Sequence, residues 1–229
     1  THVAAKRYEE TGFTRAVFRG ANYRGANITS DLIAETVSAL QKSPSFVYLY
    51  VNDLDSAGHS DGVGSEKWIA ALSSIDAMVA QLLEKLPKGV RLWITADHGM
   101  INVEEKIVMG VDNNLLDGIA TIAGEPRMRH LYLPQDADLS PRVDVIGRWN
   151  EALGEKVRLY TRESAIEARL FGSPVTLDAA ERIGDIIAIA QGNLVLLDPE
   201  RADKEGAMVG HHGGDSDTES SVPLLAQTI

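Results

Sequence analysis

Two apolar, β-rich runs constrain this chain most: residues 46–51 (Phe46-Val47-Tyr48-Leu49-Tyr50-Val51) and residues 90–95. Each is followed at once by a carboxylate and a histidine. Continuous runs of this kind, bounded by residues such as Pro44 and Asn52, predict buried strands, the first of them central. Between them, residues 65–86 predict one long helix. Ser65 is its cap, and Trp68, Ile69, Leu72, Ile75, Val79, Leu82, Leu83 and Leu86 are its buried stripe. A helix also precedes the first run, from a Ser30 cap to Lys42, with Leu32, Ile33, Val37 and Leu40 at helical spacing and Ser43-Pro44 as its stop. Helix, strand, helix, strand with short connections is the pattern of an α/β fold: a mostly parallel sheet with helices on both faces.

The remainder is less regular. The first 27 residues read as connection and turn, with one short strand at 13–18. Beyond Ile101 short β-like runs occur at 119–122, 130–133, 157–160, 186–189 and 194–197, with helices at 141–153 and 162–171. The expected organisation is a core over 1–109, an insertion or smaller α+β lobe over 110–205, and a return to the core over 206–229. In that return a glycine-rich loop feeds a last strand at 222–226.

Composition narrows the chemistry. The 229 residues carry a formal charge of −11, which disfavours nucleic acid held through a basic surface. No stretch approaches the roughly 20 apolar residues of a membrane span. With no cysteine, any zinc must rest on histidine and carboxylate.

Both predicted strands end in such groups, and α/β sheets bind ligands at the carboxyl ends of their strands. Asp55 and His59 are four residues apart, so on a helical turn they share a face. The same spacing also occurs in a capped, solvated loop. Asp97 and His98 are adjacent, and Gly99 lets the chain turn after them. Gly210-His211-His212-Gly213 suits a ligand loop in which one histidine coordinates and the other packs or faces solvent. His2 and His130 read as structural. Five donors are too many for one catalytic zinc and nearly enough for two. Two metals clamp the attacking and leaving oxygens of a phosphoryl group. The histidine content favours zinc over manganese or magnesium.

Through Asp55-Ser56-Ala57-Gly58-His59, the helix bearing Trp68, Leu72 and Ile75-Asp76, Ile94-Thr95-Ala96-Asp97-His98-Gly99-Met100 and His212-Gly213, the chain resembles the nucleotide pyrophosphatase/phosphodiesterase (type I phosphodiesterase) family of the alkaline phosphatase superfamily. The resemblance implies an alkaline-phosphatase-like fold and a metal-dependent phosphoric ester hydrolase acting on a small phosphorylated substrate such as a nucleotide or phosphodiester. It implies two divalent metal ions, zinc by preference. Asp55, His59 and His212 would hold one; Asp97 and His98 would hold the other.

The family's remaining aspartate ligand and its Thr or Ser nucleophile have no counterpart here. Thr14, Thr29 and Ser30 lack the surrounding pattern. The expectation is therefore an N-terminally truncated portion of a longer enzyme, inactive alone, with Asp97/His98 as the weaker metal site. The alternatives are a metal-binding fragment without catalysis, or phosphomonoester, sulfate ester or phosphonate hydrolysis on the same superfamily site.

Overall fold

A computed structural model describes residues 1–42, 44–134 and 139–229. Along the chain run β1 (His2–Ala4), α1 (Gly12–Val17), β2 (Tyr23–Gly25), α2 (Thr29–Leu40), β3 (Tyr48–Leu49), α3 (Asp53–Asp61), α4 (Glu66–Lys85), β4 (Arg91–Thr95), β5 (Ile101–Asn102), β6 (Glu105–Val108), β7 (Thr121–Glu125) and β8 (Met128–Tyr132). There follow α5 (Leu139–Leu153), β9 (Val157–Thr161), α6 (Arg162–Glu167), α7 (Leu177–Ala180), β10 (Ile186–Ala190), β11 (Leu194–Leu197), α8 (Ala202–Gly206), β12 (Gly210–His211), α9 (Asp217–Ser220) and β13 (Leu224–Thr228). The chain divides into two compact units: Thr1–Ala57, Gly64–Ala96 and Pro223–Ile229 form the first, and Gly58–Val63 with Asp97–Val222 the second.

In the first unit β1 is the central strand of the parallel order β2-β1-β3 and is buried throughout. The expected central strand at 46–51 is corrected by this. Only Tyr48–Leu49 pairs, on one edge, and Phe46 is exposed. An apolar run signals burial but not which strand takes the middle, and β1, too short to stand out, takes it here. The strand expected at 13–18 is α1. The Thr11 side chain accepts from the Thr14 amide and starts a helix where Phe13 and Val17 suggest a strand.

Helix α2 begins at Thr29, with Ile28 in the cap position and no side-chain cap, so Ser30 lies inside the helix. Its stop at Ser43-Pro44 involves Ser43, outside the described residues; the helix ends at Leu40. Helix α4 is capped by Ser65, which accepts from the Trp68 amide. Its stripe is only partly buried. Met78 and Leu82 pack with Ile33 and Leu86, whereas Ile69, Leu72 and Leu83 are exposed. Strand β4 pairs with β13 alone among the described residues. It alternates, so Leu92 packs inward and Trp93 is 67% exposed, not buried.

The second unit is an antiparallel sheet, β7-β8-β10-β9, with α5 and α6 packed beside it. Its central strand, β10, is buried on both faces. Ile186, Ala188 and Ala190 join Trp149, Leu131 and Leu196 in one cluster; Ile187 and Ile189 join Ala165 and Ile183 in another. Trp149 Nε1 donates to the Leu115 carbonyl at 2.8 Å, so its polar end is satisfied within that core.

The fold is α/β, but a mostly parallel sheet is not what forms. Among the described pairings β1–β2, β1–β3 and β6–β11 are parallel; β4–β13, β5–β12, β7–β8, β8–β10 and β9–β10 are antiparallel. The regular helix–strand alternation behind the parallel expectation stops near residue 100: β4 to β8 follow one another with no helix between them, and the strands beyond pair mostly antiparallel.

Candidate metal centre

Asp55 and His59 both lie on helix α3. They therefore stand one turn apart on the same face, held by the helix itself. His59 is tied from beyond that helix as well. Its Nδ1 lies 2.8 Å from the Gly210 carbonyl, and its own carbonyl accepts from the Val209 amide. A ring nitrogen facing a carbonyl donates to it, so Nδ1 carries a proton here and Nε2 is the nitrogen left to face an ion. Short β12, paired with β5, fixes the chain that leads from Gly210 to His212.

One oxygen of Asp55 and one ring nitrogen each of His59 and His212 lie within 4.8 Å of one another. All three residues are partly buried. Donors around a four-coordinate zinc at about 2.1 Å stand roughly 3.4 Å apart, so modest rotamer adjustment closes this triangle on an ion. A carboxylate and two imidazoles, without thiolate, also suit a catalytic zinc that keeps one position for solvent or substrate.

The rings of His98 and His212 are stacked, with centroids 3.5 Å apart, which brings the Asp97-His98 loop to the same place. His98 Nδ1 donates to the Gly99 carbonyl at 2.8 Å, and its Nε2 lies 3.7 Å from Asp97 Oδ1. Asp97 and His98 belong to no three-residue ligand group among the described residues.

His211 is different. It is buried, and its Nε2 donates to the Glu205 carbonyl at 3.0 Å. Burial pushes its imidazole below the ordinary range, against the opposing hydrogen bond to Glu205. His2 is buried against the rings of Phe18, Tyr23 and Tyr48. His130 accepts from the Gly184 amide at 3.1 Å in β8. Both rings are thus engaged by neighbouring elements of the fold.

Two arginines near this centre are not singled out as site residues by the sequence. Arg127, just before β8, and Arg129, within it, are fully buried and paired with Glu219 and Glu205 respectively. Charged residues in a strand read as solvent-facing; only their i, i+2 spacing hints at a common face. A cavity of about 230 Å³ in the second unit opens on His59 and His212, and Arg201 and Lys204 line it as well.

The family model for type I phosphodiesterase / nucleotide pyrophosphatase matches residues 4–215. The chain belongs to this family. It is 44% identical over 62 residues to ectonucleotide pyrophosphatase/phosphodiesterase family member 3 of Mus musculus, covering 25% of this chain and 7% of that protein. It is 32% identical over 102 residues to venom phosphodiesterase 2 of Crotalus adamanteus, covering 42% and 13%. In fold it is similar to murine ectonucleotide pyrophosphatase/phosphodiesterase 5, solved as an inactive form with AMP. There the TM-score is 0.73 at 17% identity, over 98% of this chain and 59% of that one. It is also similar to phosphonoacetate hydrolase from Sinorhizobium meliloti 1021 with phosphonoformate, at a TM-score of 0.61 and 20% identity, over 89% and 52%. The chain thus spans under two thirds of the length of each of these relatives. Among the described residues no helix is long and apolar enough to cross a membrane.

Proposed function

We propose that this chain carries the metal-binding part of a phosphoric ester hydrolase of the phosphodiesterase/nucleotide pyrophosphatase type. In this reading Asp55, His59 and His212 hold one divalent ion, and Asp97 and His98 contribute to a second. Zinc fits this donor set best. The observation that carries the proposal is the convergence of Asp55, His59 and His212 at residues that match the family's motifs. Bound ions would neutralise charge developing on the oxygens of the transferred phosphoryl group.

The protein's own groups prepare that site. The Gly210 carbonyl holds the proton of His59 on Nδ1, and the Gly99 carbonyl does the same for His98, so each ring presents Nε2. The cavity that His59 and His212 line is mixed in charge, with Arg201 and Lys204 beside Glu125 and Glu205, and Arg201 is paired with Glu205. The AMP and phosphonoformate held by the two structural relatives agree with a small phosphorylated substrate.

No Thr or Ser of this chain matches the family's nucleophile motif, so the ligand set by itself is proposed to bind metal without turning over substrate. Zinc titration followed by metal analysis of the desalted protein should find at least one bound equivalent, lost in the His59→Ala/His212→Ala double variant. Equal zinc in both proteins refutes the ligand assignment. Hydrolysis of a chromogenic phosphodiester by this chain alone should be negligible; robust turnover that co-purifies with the protein refutes the claim that it is inactive.

A further inference from the structure

We infer that Glu219, locked by Arg127, is a positioning residue that holds the His98 loop and the His212 loop in one arrangement. The inference rests on the metal-centre reading above and adds a residue that contacts no ligand-bearing side chain.

Arg127 grips Glu219 with two parallel bonds, Nε to Oε1 at 2.9 Å and Nη2 to Oε2 at 2.7 Å. Its remaining nitrogen, Nη1, donates to the Leu194 carbonyl at 2.5 Å. The arginine is thereby anchored to the rigid strand β11. Both partners are fully buried, so the pair is shielded from water and geometrically restricted.

Glu219 has oxygen lone pairs left over, and it spends them on the loop that carries His212. Oε1 accepts from the Gly214 amide at 2.8 Å, and Oε2 from the Ser216 hydroxyl at 2.6 Å. Gly214 is two residues past His212. Ser216 caps α9 in turn by accepting from the Glu219 amide. The main chain of Glu219 reaches the other loop. Its carbonyl accepts from the Gly99 amide at 2.7 Å, the residue directly after His98. Glycine is required at that contact, because a Cβ at Gly99 would collide with the Thr218 carbonyl. At Gly214 a Cβ would stand 2.7 Å from Glu219 Oε2 and 3.0 Å from Arg127 Nη2. Both ligand loops are thus seated on one buried residue, the side chain taking one and the main chain the other. Burial pushes the Glu219 carboxyl up, but the bonds from Arg127, Ser216 and Gly214 outweigh it and hold it below the usual carboxylate range.

The role separates from plain fold stability in a comparison of three variants with the wild type. Zinc affinity is measured by competition with a chromophoric chelator, and amide hydrogen exchange is measured on the metal-free protein. Glu219→Gln should weaken zinc about 10–100-fold, as loss of a group that orients metal ligands does, and should raise exchange at Gly99 and Gly214 selectively. Leu131→Ala, buried in the core of the second unit, should lower the melting temperature and leave zinc affinity within about twofold. The Arg127→Met/Glu219→Met pair should recover melting temperature relative to Glu219→Gln, since a buried ion pair is replaceable by apolar packing, yet keep the weakened zinc binding. Wild-type zinc affinity in Glu219→Gln or in the Met pair overturns the inference, as does a loss of zinc in Leu131→Ala as large as that in Glu219→Gln. If wild-type protein takes up no zinc, the metal-centre reading fails on its own. Unchanged exchange at Gly99 and Gly214 in Glu219→Gln then refutes the positioning role, and a selective rise at both supports it.

Discussion

The imidazoles of His98 and His212 lie parallel, 3.5 Å apart and inclined by 12°, although they come from loops more than a hundred residues apart. One of the two belongs to the three-donor group with Asp55 and His59; the other does not. Three donors bind an ion more tightly than two. Zinc added stepwise to protein with ¹⁵N-labelled histidine should therefore perturb His59 and His212 first, and His98 only at higher zinc. Saturation of all three rings in one step would contradict the unequal sites.

Gly210 supplies the carbonyl that His59 grips, and its Cα faces Gly58 and Met100. A Cβ there would stand 2.5 Å from the Gly58 carbonyl oxygen and 2.6 Å from Met100 Sδ. Gly210→Ala must push β12 away from α3. It should cost about 1–3 kcal/mol in urea denaturation, the usual range for overpacking, and weaken zinc binding because the Gly210–His59 bond shifts with it. An unaltered urea midpoint would show that the contact relaxes freely.

Trp149 tests the core of the second unit. Trp149→Phe keeps most of the ring but leaves the buried Leu115 carbonyl without its donor, at a cost of about 1–3 kcal/mol. Trp149→Ala opens a cavity in the same place and should cost about 3–5 kcal/mol. Zinc affinity, measured on folded protein, should not move in Trp149→Phe.

Acid sensitivity follows from histidines that are partly or fully buried. Burial lowers the His130 imidazole from its ordinary 6.5. Its Nδ1 must also stay unprotonated to accept from Gly184. Between the lowered folded value and 6.5, the unfolded chain binds more protons than the folded one. Stability is therefore fully present above pH 6.5 and declines as pH falls through 6.5 towards the folded value. His2 and His211 are lowered too and add in the same direction. His130→Gln should flatten part of that decline in urea midpoints collected from pH 7.5 to 5; an unchanged slope would remove His130 from the account.

Much of the site's inventory is legible in the sequence. Asp55 and His59 are one helical turn apart, so any helix over these residues places them together. His98 follows Asp97 with a glycine beside it, and the β-like run at 186–189 lies within β10. Fold position is less legible. The run at 46–51 is as apolar as a central strand, yet the three residues of β1 hold the middle of that sheet. Trp93 and Leu72 stand on regular periods and are still exposed, because a period says which residues share a face and not whether anything covers it.

The sequence by itself determined the family, the donor types, the absence of thiolate ligands and the local pairing of Asp55 with His59, since each depends on residue identity or on spacings within one turn. Only the tertiary structure decided the rest. It buried His211 and bonded it to the Glu205 carbonyl. It bonded His59 to Gly210, 151 residues away, and turned Arg127 and Glu219 from apparent surface charges into a buried clamp. Those outcomes rest on contacts between distant segments, whose closure depends on packing of the whole unit. No local period encodes which distant partner a side chain will meet.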